Sequence, residues 1–203
     1  MDILNGKFSR EETLEKILEV YSRWYILQAE PVKPSQEAET AAHSGPGIAL
    51  VHSGRMDEEE GSYLMSRRAT IWETESHEYA YFFTVSHLTK DDLEKALLES
   101  YTRGMECIVP GPKHRCSSIA AVIVADTAAS EAVEYIKKFR KRENFKMSLH
   151  GWMDQLVALV IPGKIECSPG SKRMEDILEY SLDPEGYRNR RRGIKGFLRK
   201  LFR

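Results

Sequence analysis

The chain has 203 residues, 41% of them hydrophobic and 30% charged, which is enough apolar material for one well-buried domain of ordinary globular composition. No stretch approaches the roughly 20 apolar residues of a membrane-spanning helix, and three cysteines without framework spacing exclude a disulfide scaffold. The formal net charge of −1 conceals a division: from Tyr187 to Arg203 there are eight Lys or Arg and no acid, which leaves −9 on the first 186 residues.

The N-terminal stretch MDILNGKFSREE lacks the basic and apolar regions of a secretory leader, and free thiols suit a reducing compartment, so the expected location is cytoplasmic. In FSREETLEKILEVYSRWYIL, Ser9 followed by Glu12 forms a capping box, in which each side chain satisfies an orphan amide. Leu14, Ile17, Leu18, Tyr21 and Tyr25 then share one face, which predicts a helix within 1–28 that docks on the body. The segment 29–47, AEPVKPSQEAETAAHSGPG, is polar and punctuated by Pro and Gly, and reads as a linker or loop.

The core is predicted over 48–181. IALVHSG reads as a short strand and RMDEEEG as an acidic turn. SYLMSRRATIWETESHEYAYFFTVS reads as two strands around the polar turn ESHE, the second apolar on both faces and therefore central. A helix follows from Thr89, with Leu93, Ala96, Leu97 and Tyr101 as its stripe and Gly104 as its stop. CIVPGPKHRC is a rigid loop, SSIAAVIVAD a strand buried on both faces, and TAASEAVEYIKKFRKR a helix with Ala129, Ala132, Val133, Ile136 and Phe139 inward. FKMSLHGWMDQLVALVIPGKIEC gives a strand, a turn at Gly151, a longer strand and a Pro-Gly turn, and SKRMEDILEY a last helix. The expected fold is α+β, with α/β as the alternative: a single mixed or antiparallel sheet with flanking helices.

The segments SRRATIWETESHEYAYFF, KHRCSSIAAVIVAD, KKFRKRENFKMSLHGWMDQLVALV and PGSKR, with His114, Ser117, Ser118, Asp126, Gly151, Trp152 and Asp154, carry a resemblance. Over about residues 64–181 the chain resembles a family of small, uncharacterised proteins from clostridia and related bacteria. The resemblance implies one compact domain in a bacterial cytosol and no assigned activity.

Nucleophilic chemistry needs a Cys or Ser with a base in hydrogen-bond reach. Cys116 stands two residues from His114, but Cys107 and Cys116 are nine apart, unlike zinc-ligand spacing, and Cys167 and His150 are distant. A metal-dependent nuclease would need an Asp and a Glu-x-Lys, whereas Ala80 stands two beyond Glu78. Phosphate-binding glycine loops are absent from the sequence. No residue is assigned as catalytic or metal-ligating and no cofactor is expected. The pocket candidates are His114, Cys116, Trp152 and Asp154, the last two read as a buried ring and a carboxylate that caps backbone amides.

The tail over 182–203 carries the sharper signal. Ile194, Phe197, Leu198, Leu201 and Phe202 fall at i, i+3, i+4, i+7 and i+8, with Arg190, Arg191, Lys195 and Arg199 around them. From Gly193 onward a helix would measure only about 16 Å, too short to cross a bilayer and suited to lie in its interface. The expected function is a non-enzymatic binding or adaptor domain that visits an anionic membrane surface through this tail. Docking on a protein partner or on the chain's own acidic body, and nucleic-acid binding through the arginines, are the competing uses of the tail. A small metal-dependent hydrolase or nuclease is the competing enzyme class.

Overall fold

The computed structural model describes residues 8–30, 47–63 and 70–190. The greater part of the linker, the 64–69 connection and the tail from Arg191 lie outside them. Helix α1 (Arg10–Tyr21) begins at the Ser9–Glu12 capping box, with both reciprocal bonds formed. It is followed by strand β1 (Ile26–Ala29), so the chain leaves the helical path before Tyr25. Strand β2 (Ala49–Tyr63) runs antiparallel to β3 (Thr70–Leu88). Then come α2 (Lys90–Cys107), β4 (His114–Ala128), α3 (Ser130–Lys138), β5 (Lys141–Asn144), β6 (Trp152–Ile161), β7 (Lys164–Cys167) and α4 (Lys172–Leu182).

One mixed sheet holds all seven strands in the order β1-β2-β3-β4-β6-β5, with β7 also on β6. The pairs β3/β4 and β4/β6 are parallel and the rest antiparallel, so the fold is α+β around a short parallel centre. The two crossovers through α2 and α3 step the same way across the sheet, and both helices cover one face. Leu93, Ala96, Ala132 and Ile136 pack there on Tyr81, Phe83, Ile123 and Leu159. Gln155 joins the layers from within, its Nε2 donating to Leu97 O at 2.6 Å and Ser100 Oγ at 3.2 Å. The opposite face belongs to α1 and α4, where Ile17, Tyr21, Met174 and Leu178 cover Phe82, Val122, Ala158 and Val160. Tyr21 meets Phe82 edge to face with centroids 5.0 Å apart.

The acidic turn expected at RMDEEEG and the turn expected at ESHE are instead strand. Arg55 to Glu60 pair in register with Tyr79 to Thr74, so β2 and β3 form one long ribbon. Arg55, Asp57, Glu58, Glu75 and Ser76 lie outside both buried clusters, and a strand segment without an apolar partner layer keeps polar side chains. That polarity imitates a turn in the sequence.

Gly104 does not stop α2, which continues to Cys107. It is buried against Ile119, and a Cβ there would stand 2.5 Å from Ile119 Cδ1 and 2.6 Å from Cγ1. Gly104→Ala gains about 1 kcal/mol of helix propensity but overpacks this contact at a cost of about 1–3 kcal/mol. The expected outcome is net destabilisation in denaturant unfolding, partly relieved in Gly104→Ala/Ile119→Val, which removes the nearest atom.

Candidate functional site

The four pocket candidates fall together at the N-terminal end of the parallel strands, where Glu75 pairs with His114 and Cys116 with Trp152. Strand alternation then separates them. His114 faces the α2/α3 side, 5% exposed, and stacks on His77 at 6.0 Å between ring centroids. Its Nδ1–H donates to the His150 carbonyl at 2.8 Å, and its Nε2 shares a hydrogen bond with Ser117 Oγ at 2.8 Å. Cys116 points away: its thiol donates to Ser76 Oγ at 3.5 Å, so the Cys116–His114 pair does not form. The base is paired with Ser117, the neighbour that sequence spacing did not single out. Ser117 is 2% exposed and lines neither cavity described below, so this dyad acts as a lock between β4 and the 145–150 turn.

Trp152 and Asp154 correct the expected turn anchor. Both lie on the α1/α4 side but beyond those helices, so they take partners from β5. Arg142 clamps Asp154 through Nε and Nη2, each at 2.6 Å, and its guanidinium lies 5.3 Å from the Trp152 ring. Trp152 is half-buried and its Nε1–H donates to Asp154 Oδ2 at 3.2 Å. The hydrogen bonds that Arg142 donates to Asp154 hold its guanidinium above its ordinary range. This is a surface clamp of β5 to β6.

Nearby, Asp57 accepts from Arg55 Nε at 2.9 Å and from His77 Nδ1 at 2.7 Å. Burial pushes the Asp57 carboxyl up, but these two partners outweigh it and hold the group below the usual carboxylate range. Among the described residues no group of three or more His, Cys, Asp or Glu is placed to hold a metal ion.

The larger concavity lies on the opposite layer and was not anticipated. A groove of about 680 Å³ runs between the C-terminal end of α1 and α4, lined by Val20, Trp24, Tyr25, Ile177, Tyr180 and Tyr187 with Arg23, Lys172, Arg173 and Asp176. Its shape comes from how α1 ends: after Tyr21 a turn throws Trp24 outward, 53% exposed, and swings Tyr25 inward. The Tyr25 hydroxyl donates to Glu78, which also takes Arg173 Nη1 at 2.8 Å. This trio borders a cavity of about 50 Å³ shared with Tyr21, Ser118 and Ser171. Burial, and then the Glu78 charge, push the Tyr25 phenol far up, so it remains a donor. Glu78, one of the hairpin acids that a nuclease would recruit, is thereby committed to Tyr25 and Arg173.

The groove's far wall comes from the segment 184–190, helical in the structure, which folds back on α4. Tyr187 meets Tyr180 edge to face at 5.9 Å, Arg188 Nη2 donates to the Tyr180 hydroxyl at 3.0 Å, and Arg190 pairs with Glu179 at 3.3 Å and Asp183 at 3.5 Å. Of the tail residues singled out in the sequence, Arg190 is thus tied to α4. Arg191, Ile194, Lys195, Phe197, Leu198, Arg199, Leu201 and Phe202 lie outside the described residues.

A family model matches residues 9–179, from the α1 cap to the last turn of α4. The chain belongs to the family described as Domain of unknown function (DUF8052). The DUF8052 region takes in the whole sheet and both helices that flank the groove, and it begins well before the 64–181 resemblance. Tyr180, Tyr187 and the basic tail follow it. No curated protein and no solved structure matches the chain.

Two measurements probe this geometry. Gly151 holds φ at +77°, and a Cβ would stand 2.3 Å from Arg115 O and 2.7 Å from His114 Nδ1. Gly151→Ala is expected to lower stability by about 2–4 kcal/mol in denaturant unfolding, because it strains the backbone and displaces His114 together. The thiols should divide as well: Cys107 is exposed, while burial, reinforced by Glu175 and Glu166, pushes Cys167 up to about 12. Titration of the native protein with a thiol reagent is expected to show a fast phase that Cys107→Ser abolishes, with Cys167 reacting last.

Proposed function

We propose that this chain is a non-catalytic binding module of the cytoplasm that associates reversibly with anionic membrane surfaces through its C-terminal tail. The observation that carries the reading is the distribution of charge and apolar side chains along the sequence. Six cations and five large apolar residues at helical spacing occupy 191–203, behind a body that carries −9. Among the described residues no helix is long and apolar enough to cross a membrane, so association would be at a surface.

Magnitudes set the strength. Each cation beside an anionic leaflet contributes about 1 kcal/mol. A fully buried Leu or Phe contributes about 1.5–3 kcal/mol, of which interfacial insertion captures part. Ordering the backbone costs about 1–2 kcal/mol per residue, and Gly193 and Gly196 add to that cost. The balance is a reversible affinity that depends on anionic lipid and falls with salt. The hydrolase alternative has one observation behind it, the Ser117–His114 contact, and the burial of Ser117 opposes it.

Co-sedimentation with vesicles tests the reading, using the full chain and a chain stopped after Arg190, which retains the described body. The full chain is expected to pellet with anionic vesicles, less at high salt, and to remain in solution with neutral ones. The shortened chain should stay in solution throughout. Equal behaviour of the two forms would remove the proposal.

A further inference from the structure

The groove between α1 and α4 is a largely apolar concavity of about 680 Å³ whose most exposed apolar side chain is an indole, Trp24. Its size falls in the range of about 300–1,000 Å³ typical of sites that bury a ligand. Three features of the chain indicate what occupies it.

The first is the path of the backbone. After Asp183 the chain reverses and lays Tyr187, Arg188 and Arg190 along the last turns of α4, with Tyr187 already a wall of the groove. The next residue is Arg191, so the remaining thirteen residues start at the groove's rim. As a helix they would measure about 20 Å, against about 12 Å from Tyr180 back to Lys172 along α4. The second is charge. The groove's own lining carries three cations, Arg23, Lys172 and Arg173, and one acid, Asp176. The groove's own cations are matched: Lys172 by Glu175 and Asp176, Arg173 by Glu78 and Glu58, and Arg23 by Glu19. With those partners the groove and its surround hold five acids to three cations, and the tail carries cations and no acid. The third is pattern: the tail offers one apolar stripe, Ile194, Phe197, Leu198, Leu201 and Phe202, that needs an apolar surface.

We infer that the groove between α1 and α4 is the docking site of the chain's own residues 191–203, with the Ile194–Phe202 stripe seated against Trp24, Ile177 and Tyr180. Arg190 already makes the first of the ion pairs that this docking extends, with Glu179 and Asp183. The regulatory consequence rests on the membrane reading above. One stripe cannot lie in the groove and in a lipid interface at once, so docking competes with membrane association and lowers its apparent affinity by the fraction of tail undocked.

The test uses the full chain and reads Trp24 as the difference between wild type and Trp24→Phe. Acrylamide quenching of Trp24 is expected to be weak in the wild type and to rise severalfold in Phe197→Glu/Leu198→Glu. Unchanged quenching overturns the inference, whatever the vesicles show. Sheltering that disappears on dilution also overturns it, because a second copy's tail would then be the occupant. On the groove side, Trp24→Glu alters an exposed ring and Asp176→Lys removes acidity without touching the core. If the docked form holds about nine-tenths of the molecules, each is expected to tighten binding to anionic vesicles by up to about tenfold. Circular dichroism checks that both variants fold. Sheltered Trp24 without vesicle binding leaves the docking intact and removes the membrane reading. Vesicle binding that neither groove variant changes, with unsheltered Trp24, does the reverse.

Discussion

Strands β3 and β4 are buried on both faces, and the rest of the molecule follows from that constraint. Phe82 and Phe83 are adjacent in sequence, point to opposite sides of the sheet and are both wholly buried. Each face therefore needs its own helical layer. The α2/α3 face is supplied by the two crossovers that parallel pairing requires in any case. The other face has no crossover to draw on, so it is closed by the two ends of the described chain, α1 and α4, held through Tyr21 on Phe82 and Leu178 beside Val160. A layer made of two separately tethered helices has a seam, and the groove lies along it. Burial of a Phe or Leu contributes about 1.5–3 kcal/mol, so the face must be covered, but nothing requires the two helices to close against each other beyond Tyr25.

The polar end of the sheet is arranged differently. There the ribbon leaves both buried clusters, and hydrogen bonds replace apolar contact: Asp57 with Arg55 and His77, Asp154 with Arg142, His114 with Ser117 and the His150 carbonyl. Each of these titratable groups is aimed at a partner within the protein. Their arrangement explains the Gly-Trp-x-Asp step in the sequence without chemistry. Gly151 lets the backbone pass His114, Asp154 receives Arg142, and Trp152 shelters that pair.

The architecture was legible because apolar periodicity reports burial directly. The Ser9–Glu12 box, the Thr89 cap, the two-sided strands at Tyr79–Val85 and Ile119–Ala125, and the inward faces of the helices all follow from spacing alone. Polarity was the misleading signal where a strand leaves the core: the acids of RMDEEEG and ESHE follow from absent helical cover, which a single sequence does not display. Gly104 misled for a related reason, since a glycine chosen for close helix–sheet approach looks the same as one chosen to end a helix. The groove was illegible because it depends on two segments about 150 residues apart. Only Trp24, a large ring just past the α1 stripe and off its face, hinted that something remained to be covered.

The tail connects these observations physically. A basic amphipathic segment attached to an acidic body has an intramolecular partner at high effective concentration, since a short tether replaces diffusion. Any external surface must therefore be better than the groove by more than that local advantage. On the membrane reading proposed above, an anionic leaflet would meet the condition through many simultaneous cation contacts. The pairing of Arg190 with Glu179 and Asp183 at the tail's root keeps the tether short in either state. The proposed exchange between two surfaces rests on the charge asymmetry, the seam left by the fold and the position of Arg190.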